Sequence, residues 1–136
     1  MSNNIKLVLP YHYIQKFKTK KDKKIMVALN WYRNVNFFLN NQIKKYYYEL
    51  VREQMASFKY DRLQLYRIDY KLYYSNKRSD MMNVIAVIDK YLQDALQKVE
   101  LVEEDNVEHC KEINCIVAGR DNENPRVEIE ISEVIK

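Results

Sequence analysis

The sequence contains one glycine, Gly119, in 136 residues. A glycine-rich phosphate loop and a dinucleotide fingerprint both need several glycines for close backbone approach, so both are excluded. There are two cysteines, Cys110 and Cys115. One pair is too few for a disulfide scaffold. The start, MSNNIKLVLPYHY, has too short an apolar run and no small-residue cleavage site for a secretory leader. Reduced thiols in a cytoplasmic protein are the expectation. No apolar run approaches the roughly 20 residues that cross a bilayer, so no membrane partner is expected. With two prolines and no low-complexity linker, nothing divides the chain, and its length suits a single domain over 1–136.

Charge is abundant and unevenly spread. Hydrophobic residues make up 47% and charged residues 31%, which suits a packed domain rather than a disordered one. Residues 1–78 hold 17 Lys/Arg against 5 Asp/Glu, whereas residues 79–136 hold 6 against 14. A basic first half points to a polyanionic partner, and an acidic second half fits cation binding.

Along the chain, IKLVL (5–9) is a short apolar run stopped by Pro10 and reads as a strand. The lysines Lys16, Lys18, Lys20, Lys21, Lys23 and Lys24 surround a single acid, Asp22. Charges this dense repel, so 16–24 is expected to be an exposed basic loop. From about 30 to 54, Val35, Phe38, Leu39, Ile43, Tyr46, Tyr47 and Leu50 recur at helical spacing, with Arg33, Lys44, Lys45 and Arg52 on the other sides. RLQLYRIDYKLYYS (62–75) alternates Tyr66, Ile68, Tyr70, Leu72 and Tyr74 against Arg67, Asp69 and Lys71, which is a strand pattern. A second helix covers 80–99, an imperfect strand follows Asp105, RDNENP is a turn, and RVEIEIS (126–132) is a clean strand. The order β-α-β-α-β-β predicts a small α/β domain with a mixed sheet packed by two main helices.

The second helix carries the most chemistry. At about 100° per residue, Met81, Val84, Ile85, Ile88, Tyr91, Leu92, Ala95 and Val99 form one stripe for the sheet. Asn83, Lys90 and Asp94 lie together beside it, near Asp80, while Asp89 points elsewhere. Spacing therefore allows Asp80, Asn83, Lys90 and Asp94 to line one groove, with Asp105 folding back to its mouth. The plain alternative is structural. Ser79 or Asp80 is a good N-cap, Lys90 and Asp94 form an ordinary i,i+4 surface pair, and EEDN is a solvated turn.

The order SDMMN, DK, DAL (94–96), EEDN and DNENPRVEIEI resembles the RusA family of Holliday-junction resolvases, especially its phage branch. LVLPYHYI and ALNWYRN near the start add to the likeness, which covers most of the chain. The resemblance implies a Mg²⁺-dependent homodimeric endonuclease, with Mn²⁺ as the alternative metal, that cuts branched DNA by paired nicks in phage recombination and repair. Asp80 matches the first family aspartate and Asp105 the later one. Lys90 matches the family lysine counted back from Asp105 and DAL; counted forward from Asp80 it comes about one helical turn late. Met82 departs from the pattern, since typical members carry a second aspartate there and a thioether is a poor Mg²⁺ ligand. Asn83, Asp89 or Asp94 are the substitutes, Asp94 first on helical phase. The alternative is a catalytically inactive branched-DNA-binding protein.

On this reading, Asp80 and Asp105, with Asp94 or Asn83, hold the metal, and Lys90 stabilises the phosphate or helps to activate water. Lys16, Lys18, Lys20, Lys21, Lys23, Lys24, Arg33, Lys77 and Arg78 hold DNA phosphates. Tyr73 or Tyr74 offers a base-stacking surface, although packing is the commoner use of tyrosine. His109, Cys110 and Cys115 fall short of the four close ligands of a structural zinc site. His12 has no nucleophile beside it, so a hydrolytic triad is not supported.

Overall fold

The computed structural model describes residues 4–76 and 80–135. Nine elements follow one another: β1 (Ile5–Leu9), β2 (His12–Gln15), β3 (Lys23–Met26), α1 (Leu29–Asn34), α2 (Phe37–Met55), β4 (Tyr66–Tyr74), α3 (Met81–Lys98), β5 (Cys110–Arg120) and β6 (Arg126–Glu133). Four strands form a mixed sheet in the order β1-β6-β4-β5. β6 lies antiparallel between β1 and β4, and β4 pairs in parallel with β5. The small α/β domain with a mixed sheet expected above is what forms.

Period two in β1, β4 and β6 explains why one sheet face is buried. Ile5, Leu7 and Leu9, then Val127, Ile129 and Ile131, then Tyr66, Ile68, Tyr70 and Leu72 point inward and are almost wholly buried. α2 and α3 cover them with Ile43, Tyr47 and Val51, and with Val84, Ile88 and Leu92. Each such aliphatic side chain contributes on the order of 1.5–3 kcal/mol through burial. Tyrosine is mainly a packing residue here, as its hydroxyls find partners inside: Tyr47 stacks on Tyr91 and donates to the Pro10 carbonyl at 2.7 Å. The opposite sheet face carries Lys6, Arg67, Asp69, Lys71, Glu128 and Glu130, and no helix among the described residues lies over it.

Two features depart from the reading of the sequence. The basic segment 16–24 is not a free loop but the end of an antiparallel hairpin, with His12 opposite Met26 and Gln15 opposite Lys23. Lys23 and Lys24 belong to its second strand. Strands this short carry too few residues for alternation to show, so pairing across the turn decides them. The helix expected over 30–54 is also two helices. Asn36 interrupts it in an extended conformation, and its side-chain oxygen accepts from the Leu39 amide at 2.8 Å, which starts α2 afresh.

The sheet's two edges differ. At the β1 edge, Gln54 of α2 acts as a stand-in strand. The Val8 amide donates to its Oε1 at 2.8 Å and its Nε2 donates to the Val8 carbonyl at 2.7 Å. β5, at the other edge, has a strand on one side only.

α3 ends where Glu100 takes a left-handed conformation, φ 62°, and the Leu101 amide closes on the Leu96 carbonyl at 3.0 Å. This turn aims 101–105 back at the start of β4. A non-glycine residue is strained there. Glu100→Gly is therefore expected to raise unfolding stability by about 1 kcal/mol in a urea titration, because glycine takes this conformation without a Cβ clash. A loss of stability would show that the exposed Arg62–Glu100 pair, at 3.8 Å, outweighs the strain.

Candidate functional site

The basic hairpin presents its lysines outward. Lys16, Lys18, Lys20, Lys21, Lys23 and Lys24 are all exposed. Lys16 pairs with Asp22 at 3.0 Å and Lys20 lies 4.3 Å above the Phe17 ring. Arg33 is exposed in the last turn of α1. Lys77 and Arg78, the other two phosphate contacts expected, lie outside the described residues.

Asp80 is the N-cap of α3. Its Oδ1 accepts from the Met82 and Asn83 amides at 3.1 and 3.3 Å, which settles two of the orphan donors at the helix start. Asn83 is half-buried in the first turn, and the Met82 thioether beside them is 58% exposed. Lys90 is exposed, 5.9 Å from the Tyr32 ring. Asp94 turns away from Lys90 to pair with Lys44 of α2 at 3.2 Å.

α2 and α3 run in the same direction. Asn40 faces Tyr91, Lys44 faces Asp94 and Tyr48 faces Lys98. In that register Phe37 comes level with Ile88, so α2 begins beside the middle of α3 rather than beside Asp80. At the start of α2, Phe37 and Phe38 are 72% and 82% exposed and lie edge to face. Helical spacing had placed Phe38 on the apolar face with Leu39 and Ile43, but it is open to solvent, because α2 starts afresh at Asn36 and its first turn extends beyond the packed stripe. The proposed stacking tyrosines are otherwise engaged: Arg126 lies 4.0 Å above the Tyr73 ring, and Tyr74 packs against the core.

Asp105 lies at the other end. The Tyr66 hydroxyl, at the start of β4, reaches the Glu104 carbonyl at 3.2 Å and Gln93 Oε1 at 2.6 Å. Gln93 is thirteen residues after Asp80, so about 20 Å of helix axis separates that spot from Asp80, at roughly 1.5 Å per residue. Within one chain, Asp80 and Asp105 do not meet. Among the described residues, no group of three or more His, Cys, Asp or Glu side chains is placed to hold a metal ion. The donors themselves, exposed carboxylate oxygens, suit Mg²⁺. One chain supplies them at two separate places.

Beside Asp105 is a polar cluster that helical phase had placed elsewhere. Asp89 faces the sheet, where the Tyr70 hydroxyl and the Gln93 amide donate to its carboxylate. Gln93 is only 4% exposed, the one buried polar side chain among the described residues. Cys110 and Cys115 of β5 adjoin the cluster, and burial followed by the charge of Asp89 pushes both thiols up. Burial also raises the Asp89 carboxyl, against hydrogen bonds from Tyr70 and Gln93 that favour its charge; Asp105 raises it further and Lys90 lowers it.

The folded protein thus holds the Asp89 proton more tightly than the unfolded chain does. The stability this brings is complete below the unfolded carboxyl value of about 4 and is lost as pH rises through the raised value. Asp89→Asn removes that loss. Its urea midpoint is expected to exceed the parent's near pH 7, with the advantage shrinking towards pH 4. An advantage that does not change with pH would remove Asp89 as its source.

Comparison with known proteins identifies no family for the chain: no family model matches it, and no curated protein matches it.

Proposed function

We propose that the protein is a Mg²⁺-dependent endonuclease acting as a homodimer on four-way junctions and related branched DNA in the cytoplasm, that of the host cell if phage-encoded. The observation that carries the DNA part is the hairpin, whose six exposed lysines have only Asp22 between them as a counter-ion. Such a surface binds phosphates without reading bases, and its affinity falls steeply with salt. Arg33 extends the basic surface, and Phe37 and Phe38 offer two open rings for bases unstacked at a branch point. No described helix is long and apolar enough to cross a membrane.

The catalytic part rests on the resemblance in order and spacing around Asp80, Lys90 and Asp105. Asp80 and Asp105 would hold Mg²⁺, with Asn83 or Asp94 completing the set; bound there, the metal supplies Lewis acidity towards the phosphate. Lys90, exposed on α3, brings positive charge towards the phosphate oxygens. Since the two aspartates stand at opposite ends of α3, only a second chain can bring an Asp105 to an Asp80, and the reading therefore depends on the dimer.

A labelled four-way junction and a matched duplex, each with Mg²⁺ or EDTA, test this directly. Paired, metal-dependent cuts on the junction are expected, falling by at least about 100-fold in Asp80→Asn and in Asp105→Asn while junction binding persists. Met82, exposed where a second aspartate would strengthen the site, favours one other outcome: tight junction binding with no cutting in Mg²⁺ or Mn²⁺. That result would reduce the function to branched-DNA binding and make recovery of cutting by Met82→Asp the deciding measurement. Binding equal for duplex and junction, or insensitive to salt, would remove both readings.

A further inference from the structure

β5 is an eleven-residue strand at the sheet edge, and among the described residues its only neighbouring strand is β4. The Tyr66 amide donates to the His109 carbonyl at 2.9 Å and the Asp121 amide to the Tyr74 carbonyl at 2.8 Å. Tyr66, Ile68, Tyr70, Leu72 and Tyr74 therefore turn their peptide groups towards β5. In a parallel ladder the residues opposite them turn theirs away. With Ile68 across from Ile113, Tyr70 from Cys115 and Leu72 from Val117, the N–H and C=O groups of Ile113, Cys115 and Val117 point out of the sheet. Among the described residues, no strand lies beyond them.

The side chains of this edge are equally unusual. Residues 113–119, INCIVAG, carry no charge, and Ile113, Ile116 and Val117 are 44%, 51% and 54% exposed. An edge this long and apolar is a template for another strand unless something covers it. The β1 edge shows the protected alternative, closed by the Gln54 amide. β5 has no charge or proline over its middle, and no side chain among the described residues closes its outer edge as Gln54 closes that of β1.

We propose that β5 is the site at which a second copy of this chain adds, antiparallel, so that the two four-stranded sheets become one. The strand is self-complementary about its midpoint, Cys115. A two-fold axis there sets Cys115 against Cys115 of the second copy, and Ile113 against Val117 of the second copy, twice. The outward peptide groups of these residues then pair with one another. Charge favours the same register. Lys111 and Glu112 at one end of the strand come beside Arg120 and Asp121 of the second copy, so each end is neutral and the apolar middle meets only itself. This assigns the interface of the dimer in the proposed function and rests on that reading for the dimer alone; no nuclease chemistry enters it.

The test uses the whole chain, with mass by light scattering over a wide concentration range and circular dichroism to confirm folding. A dimer is expected, and Val117→Lys should weaken it by at least about tenfold, because a lysine then faces Ile113 of the second copy in an apolar seam. The double variant Ile113→Glu, Val117→Lys places opposite charges across both pairs and should restore it. With Cys110→Ser, leaving Cys115 as the single thiol, a short bismaleimide should link two chains, and Cys115→Ser should abolish the link. A dimer indifferent to Val117→Lys and not linked through Cys115 would overturn this interface while leaving the dimer standing. A monomer at every concentration would overturn both, and junction cutting by that monomer would also overturn the metal site shared between two chains.

Discussion

Parallel pairing between β4 and β5 obliges the chain to travel back the whole length of the sheet before β5 can begin. α3 makes that return in 18 residues. Its apolar stripe lies on the buried sheet face, and its ends fall at opposite edges of the molecule. Three properties follow from this one crossover. Asp80 is separated from Asp105, the C-terminal strand β6 is left to fill the gap between β1 and β4, and β5 is left outermost. A helix that must lie flat on a sheet cannot also bring its two termini together.

The one-sided sheet divides the surface in a similarly direct way. Helices cover one face, and the other is laced with short ion pairs such as Arg67–Asp69 at 3.1 Å and Arg126–Glu128 at 3.0 Å. Exposed pairs of this kind contribute little to stability, roughly 0–1 kcal/mol each, but they keep a bare sheet face from being apolar. The six hairpin lysines have almost no such pairing, which sets their surface apart from the balanced charge of the sheet. Unbalanced charge is expensive to gather on a folded protein, and a polyanion is the partner that relieves it.

Elements with many residues of one period were legible in the sequence. The alternation within 62–75 and 126–132 and the stripe from Met81 to Val99 located the central strands and α3, although β4 begins only at Tyr66, because a buried face repeats its constraint at every turn or second residue. Short or singular features were not. The β2–β3 hairpin has four residues a side, and the break at Asn36 depends on one side-chain hydrogen bond. Helical phase turned Asp89 away from the Asp80 groove without saying what it met, since spacing along one helix says nothing about Tyr70 waiting across the sheet.

The candidate site divides along the same line. Which carboxylates and lysines exist, their order, and the basic first half against the acidic second are properties of the chain and were decided by the sequence alone. That Asp94 serves Lys44, that Asp105 sits with Asp89 and Tyr66, and that two phenylalanines stay open at the start of α2 were decided by tertiary structure. The reason is geometric. Sequence spacing fixes distance only while the chain stays in one regular element, and each of these partners is reached across a turn, through a neighbouring helix or over a paired strand.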